Sequence, residues 1–392
     1  MLERLTSQPA DALLALIKAY ADDPTADKID LGVGVYRTGQ GDTPVFQAIK
    51  RAEKKLVDTQ ETKAYLGPEG DMGFVNALKP YIFGEDDPTM GGRVQGMQTP
   101  GGTGAVRLAV ALAQRAGVDR LHIGTPSWPN HGQILGDIAL EMVGFPHANA
   151  DGTANVAALL DVINNASPSD AVLLHGACHN PTGVDYTNAE WDAIADAIAA
   201  KGVFPIIDSA YQGLGNGMEE DAYGLRRLLS AVPEAFVAYS CDKNFGVYRD
   251  RVGAFYAMAS KPEGLDTIFS NANALARASW SMPPDHGGAA VRIILRDSEL
   301  TALWLDELET MRIRMRQVRQ VLADAGTAGS VDLTPLATQN GLFATLPVSK
   351  EQVQQLRADH AIYMAGSGRI NIAGLHMGNI KKFVSALTAV TG

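Results

Sequence analysis

The sequence predicts an α/β protein: a mainly parallel sheet flanked by helices, with a second, smaller α/β domain. From about residue 100 onward, short apolar runs alternate with helical patterns. Those runs are continuously apolar and turn polar at their ends, as strands buried on both faces do. Strands that alternate with helices imply crossover connections and hence parallel pairing.

In order, the expected strands are RLHIGT (120–125), LEMVGF (140–145), AVLLHG (171–176), VFPIID (203–208), AFVAYS (235–240) and VGAFYAMA (252–259). Between them lie the helical segments GAVRLAVALAQRAG (104–117), ANVAALLDVINNA (154–166) and NAEWDAIADAIAAKG (188–202). A long helical pattern fills roughly 287–325, with a break near RDSEL. A smaller set follows: strand GLFATLP, helix SKEQVQQLRADHA, strands IYMAG and RINIAG, and a terminal helix from NIKKFVSALTAV. This set reads as the smaller domain, with the long helix as its connection.

The chain has 392 residues, enough for two domains or one large one. It is 46% hydrophobic and 20% charged, a soluble globular composition with a substantial core. A net charge of −11 argues against non-specific nucleic-acid or membrane binding, since phosphate-rich surfaces recruit an excess of Lys and Arg. It leaves room for a local basic pocket that takes a small anion. Cys178 and Cys241 have no metal-like spacing, which fits a reducing cytoplasm. The N-terminal stretch lacks the pattern of a signal peptide, and no run reaches the ~20 apolar residues of a membrane span.

In open α/β sheets ligands bind beyond the carboxyl ends of the strands. TPGGTGAVRLA (99–109) places glycines directly before a helix, where free backbone N–H groups favour a phosphate; a plain turn is the alternative. HGACHNPTG (175–183) sets His175 and His179 four apart, but Gly176 and the Asn180-Pro181 turn argue against a helical metal pair. Asn180 is either a turn former or a ligand-reaching amide. Asp208 follows four apolar residues, where a carboxylate is costly unless it is paired or caps a helix; Tyr211 follows as a phenolic donor. Lys243 sits where AFVAYS runs out, with Arg251 eight residues on. It either snorkels to water or serves as a nucleophilic amine whose pKa is lowered by burial and a neighbouring cation. As a set these groups suit pyridoxal 5'-phosphate: an aldehyde for the lysine, a ring nitrogen for the aspartate, a phenolate oxygen for Asn and Tyr, and a phosphate for the rest.

LGVGVYR, KAYLGPEG, TPGGTGA, PSWPNH, HGACHNPTG, DSAYQGLGNGMEEDA, SCDKNFGVYRDRVG and SGRINIAG occur in this order from about residue 30 to 375. With them the chain resembles the class I (fold type I) aminotransferases that depend on pyridoxal phosphate, and within these the aspartate and aromatic amino-acid group. The resemblance implies a large cofactor-binding domain over 41–304 and a small domain from 1–40 and 305–392. It implies that Lys243 forms the Schiff base and shuttles the proton, Asp208 pairs with the ring nitrogen, Asn180 and Tyr211 bond the phenolic oxygen, and Trp128 stacks on the ring. His131 supports Asp208. Gly102, Thr103, Ser240 and Arg251 hold the phosphate, joined by Tyr65 of a neighbouring subunit, so a homodimer with shared sites is expected. Arg369 grips the substrate α-carboxylate with Gly34 nearby, Trp128 and Asn180 also face the substrate, and Arg277 binds a distal carboxylate across the interface. No metal is implied.

Two departures stand out. Ser279, Trp280 and Met282 replace the Asn, Tyr and Asn that aspartate-specific members tend to carry, and Asp242 replaces a common Ser. The expected reaction is ping-pong exchange between an aromatic amino acid or aspartate and 2-oxoglutarate, with glutamate formed. A strict aspartate enzyme, or decarboxylase or β-lyase chemistry on the same fold, is the alternative.

Overall fold

The computed structural model describes residues 2–7, 12–84 and 91–392. The chain runs through α1 (Ala12–Asp22), β1 (Ile29–Asp30), α2 (Gln47–Thr59), α3 (Met72–Phe83), β2 (Val94–Pro100) and α4 (Gly101–Arg115). Alternating elements follow: β3 (Arg120–Thr125), α5 (Pro129–Ile138), β4 (Glu141–Pro146), α6 (Val156–Asn165), β5 (Asp170–His175), α7 (Asn188–Lys201), β6 (Phe204–Ser209), α8 (Tyr223–Ala231), β7 (Ala235–Ser240) and β8 (Val252–Met258). Helices α9 (Gly264–Ser279), α10 (His286–Arg296) and α11 (Ser298–Asp324) come next. Last are β9 (Thr327–Ala328), β10 (Val331–Asp332), β11 (Phe343–Thr345), α12 (Lys350–His360), β12 (Ile362–Tyr363), β13 (Arg369–Asn371) and α13 (Ile380–Thr391).

Two compact units form: Pro44–Arg314 with Gln339–Gly341, and Met1–Thr43 with Met315–Thr338 and Leu342–Gly392. The larger holds one seven-stranded sheet in the order β2-β8-β7-β6-β5-β3-β4. Strands β4, β3, β5, β6 and β7 run parallel, while β8 is antiparallel to both β7 and β2. Every residue of β5, β7 and β8 is buried, as continuous apolar runs require. On one face α4 packs its buried Ala105, Leu108, Ala109 and Leu112 against β7 and β8. Local signals set the helix ends. Thr187 and Glu190 close a capping box on α7, and Gly202 ends it at φ 77°.

The six expected strands of the larger unit appear with their ends shifted by one residue at most. The sequence reading missed β2, because VQGMQTP is polar and carries a glycine. That glycine is required: a Cβ on Gly96 would lie 2.3 Å from the Tyr256 ring. The break near RDSEL is Asp297, whose carboxylate accepts the N–H groups of Glu299 and Leu300 at 3.1 and 3.3 Å and so starts α11.

In the smaller unit β1 pairs in parallel with β12, and β11 antiparallel with β13. Its strands are shorter than the apolar runs suggest: GLFATLP contributes three strand residues and RINIAG another three before a 3-10 turn. No helix among the described residues is long and apolar enough to cross a membrane.

Strand β8 passes directly behind the start of α4. A Cβ on Gly253 would stand 2.5 Å from the Gly101 carbonyl carbon and 2.7 Å from the Tyr239 oxygen, both backbone atoms that cannot swing away. We expect Gly253→Ala to cost about 1–3 kcal/mol, read as a lower urea midpoint, from overpacking at this point.

Candidate active site

Strands β5, β6 and β7 end together, and the turns beyond them carry the charged groups. Gly102, Thr103, Trp128, Asn180, Asp208, Tyr211, Ser240, Lys243 and Arg251 line one cavity of about 220 Å³. All nine are residues singled out by the sequence, and all belong to the larger unit.

Asp208 lies in β6 beside His175 of β5 in register. Burial works to raise its carboxyl pKa, but the His131 hydrogen bond, together with the nearby Lys243 charge, holds it below the usual carboxylate value. The bond from His131 Nε2 to Asp208 Oδ2 is 3.0 Å. Its direction follows from a chain of contacts. The Asn180 N–H donates to His175 Nδ1 at 3.2 Å, so neutral His175 carries its proton on Nε2, 3.4 Å from Ser127 Oγ. Ser127 is then free to donate to His131 Nδ1 at 2.9 Å, which leaves the His131 proton on Nε2, facing Asp208. Burial pushes the His175 pKa down to about 3, in keeping with a neutral ring. His131, His175 and Asp208 bring three ligand atoms within 4.8 Å of one another, and these hydrogen bonds account for the proximity without an ion. His175 also stacks on His179 at 4.2 Å between ring centroids, with His179 Nδ1 bonded to Thr182.

Lys243 occupies the loop after β7, with its Nζ 5.2 Å from the centre of the Tyr211 ring. Burial lowers its pKa; Asp242 and Asp208 pull it up, and Arg251 adds to the lowering. The Tyr211 hydroxyl accepts from Asn180 Nδ2 at 3.2 Å, while buried Asn180 Oδ1 makes no hydrogen bond among the described residues. At the other end of the cavity α4 begins at Gly101 without a side-chain cap, which leaves its first N–H groups exposed to the cavity. A Cβ on Gly102 would meet Ser240 Cβ at 2.8 Å, so glycine lets the helix start close onto the serine. Arg251 holds a left-handed backbone at φ 54°, which costs a non-glycine residue about 1–3 kcal/mol. It donates to Asp242 and to the Tyr248 carbonyl.

Four predicted residues are not among those that line this cavity. Tyr65 is 95% exposed, and exposed Arg277 donates to Ser281. The segments of these two residues meet, since Leu66 N–H points at Met282 Sδ at 3.1 Å. Arg369 and Gly34 belong to the smaller unit. There Arg369 Nη2 donates to the Gly32 carbonyl at 2.9 Å, and its guanidinium lies 4.5 Å from the centre of the Phe343 ring. A Cβ on Gly34 would strike that same ring at 2.6 Å, and Asn371 clamps the loop through the Val33 and Val35 carbonyls at 2.6 and 2.7 Å.

Sequence reasoning passed over Ser127, Tyr248 and Phe343, and weighed His175 only as a metal ligand. The four-residue step from Ser127 to His131, across the proline that opens α5, was the available signal for the first.

The family model for aminotransferase class I and II matches residues 26–387. The chain is 46% identical to a tyrosine aminotransferase of Rhizobium meliloti and 39% identical to an aspartate aminotransferase of Escherichia coli, each match covering 100% of both proteins. It superposes on an aromatic-amino-acid aminotransferase from Burkholderia pseudomallei, solved covalently bound to pyridoxal phosphate, with a TM-score of 0.95 at 32% identity over 100% of both chains.

Because folded His175 resists protonation down to about pH 3, the unfolded chain binds one more proton between there and the usual histidine value. Stability therefore falls as pH drops below about 6.5. His175→Asn is expected to flatten this slope by up to about 1.4 kcal/mol per pH unit, measured from urea midpoints between pH 7 and 5.

Proposed function

The chain belongs to the class I and II aminotransferases, and from that premise we propose that it exchanges the amino group of an aromatic amino acid or aspartate with 2-oxoglutarate, forming glutamate. The observation that carries the reading is a lysine amine with lowered pKa at one wall of a cavity that also holds an aspartate kept ionised. Other features fit pyridoxal 5'-phosphate: the half-satisfied Asn180 amide beside Tyr211, and the glycine cradle against Ser240 and Arg251. When bound, pyridoxal phosphate supplies an aldehyde for the amino group and a ring that withdraws electrons from Cα.

Lys243 would offer its amine to that aldehyde and, once the substrate amino group has displaced it, would move the proton between the substrate Cα and the former aldehyde carbon across the linking nitrogen. Asp208, fixed by His131, keeps a proton on the ring nitrogen. Asn180 and Tyr211 hold the phenolic oxygen, and Trp128 covers the ring face. Gly102, Thr103, Ser240 and Arg251 hold the phosphate. Arg369, flattened on Phe343, presents its fork to the α-carboxylate near Gly34.

We assign the distal carboxylate to Arg277 and the remaining phosphate contact to Tyr65, each serving the site of a second subunit in a homodimer. Their exposure and their shared surface patch support this. Trp280 and Met282 beside Arg277, together with the tyrosine, aromatic and aspartate names of the relatives, favour dual specificity. Two buried cysteines that form no disulfide with each other suit a cytoplasmic location.

A donor panel with 2-oxoglutarate is expected to give turnover with phenylalanine and tyrosine as well as aspartate; turnover with aspartate alone would overturn the dual specificity. Lys243→Ala should lower turnover about 10⁴-fold or more while the chain still folds. Arg277→Ala should cut kcat/KM for aspartate roughly 100-fold and for phenylalanine far less. Mixing it with Lys243→Ala chains should restore part of the aspartate activity, because one site of each mixed dimer keeps both residues.

A further inference from the structure

The proposed function gives Arg251 to the cofactor's phosphate, yet that arginine already holds a carboxylate. Arg251 Nη1 donates to Asp242 Oδ2, and Asp242 Oδ1 accepts the Val252 N–H at 3.2 Å. The Asp242 side chain is 3% exposed against 40% for Arg251, so the acid is the buried partner and the arginine the one that reaches solvent. The backbone at the start of α4 closes over the pair: a Cβ on Gly101 would lie 2.5 Å from Arg251 Nη2 and 3.0 Å from Asp242 Oδ2. Asp242 also donates its N–H to Ser240 Oγ at 3.3 Å. The elements assigned to a phosphate thus crowd around one carboxylate. Arg251 Nε and Nη2 make no hydrogen bond among the described residues, so part of the fork remains for an anion.

We propose that Asp242 is a built-in counter-ion of the phosphate cup: it competes with a phosphate for Arg251, and phosphate binding is coupled to its protonation. The inference rests on the cofactor reading above. Its physical basis is charge. A phosphate dianion beside a buried carboxylate shares one arginine between two anions, and neutralising the carboxyl removes the repulsion. The groups facing Asp242 are Lys243 and Arg251, which favour its charge, and the Cys241 thiol; β8 and the start of α4 bring backbone, and Tyr248 lines the cavity beside Arg251. Burial outweighs the two cations and leaves the carboxyl pKa raised, which favours gain of a proton when a second anion approaches. In relatives with serine here, as the resemblance has it, no such coupling exists.

The test is calorimetric binding of inorganic phosphate to the full chain freed of cofactor, in wild type, Asp242→Asn and Asp242→Ser. At about pH 8.5 the Asn variant should bind about tenfold more tightly than wild type, and the gap should close towards about pH 5.5 as the wild-type carboxyl gains its proton. Wild type should take up about one more proton per phosphate than Asp242→Asn, read from two buffers of different ionisation enthalpy. Equal affinities at both pH values, or weaker binding by both variants, would overturn the proposal, the latter by showing that Asp242 merely braces Arg251. Pyridoxal phosphate added to wild type separates the two readings. If phosphate behaves as stated but no visible absorption band forms, the cofactor reading fails and the counter-ion stands. If the band forms while phosphate affinity ignores Asp242, the reverse holds.

Discussion

Withdrawing the Lys243 amine from water disfavours its charged form, and the charges around the cavity are arranged about that fact. Asp242 and Asp208 draw the lysine back towards ammonium, while burial and the Arg251 charge oppose them and prevail. Each carboxylate has its own source of support, so neither is left to the lysine alone. His131 serves Asp208; Arg251 and the Val252 amide serve Asp242. The sheet sets these separations. Asp208 stands opposite Ala238, Ser209 opposite Tyr239, and Ser240 opposite Gly253, so a slip of one residue on β6 or β7 would turn these side chains to the other face. Pairing at the strand ends thus fixes the distances that the electrostatics need.

A second constraint is directional. A buried imidazole between two partners can donate from either nitrogen, and only one tautomer of His131 presents a proton to Asp208. The choice is made two residues away in space, by a backbone amide that has no alternative: Asn180 N–H can only donate. Through His175 and Ser127 that direction passes to His131. Protonating His175 would leave its Nδ1 unable to accept and break the chain at its start. Its low pKa is therefore a condition for the order around Asp208.

Most of the sheet was legible because β3, β5, β6 and β7 are apolar runs without a competing signal. Strand β2 was not, since its Gly96 answers to the Tyr256 ring six strands later in the sequence, a long-range need that no local pattern carries. The antiparallel sense of β8 had a signal that the alternation of strands and helices masked: eleven residues, 241–251, separate it from β7, with no helix pattern for a crossover. At the site, Asp208, Asn180 and Lys243 could be picked out because each ends an apolar run where a polar group is conspicuous. Ser127 and Phe343 could not, because a serine before a proline helix start and a phenylalanine in a short strand are ordinary there. Their significance lies in partners far along the chain, His175 and Arg369.

The two carboxylates of the cavity carry the last step. Both are aspartates near the end of a buried strand, and burial works to raise both. Asp208 meets a hydrogen-bonded histidine and the nearby Lys243 charge, and its pKa ends below the usual value. Asp242 meets two cations, an arginine hydrogen bond and a single amide, and its pKa ends above. One end of the cavity is therefore held to negative charge, while the other gives up its charge more easily. In the proposed reading a ring nitrogen needs a constant partner through the exchange of protons at Cα, and a carboxylate held ionised, as Asp208 is, suits that place. An anion that must enter a crowded cup is better met by a group able to give up its charge, which is where Asp242 stands.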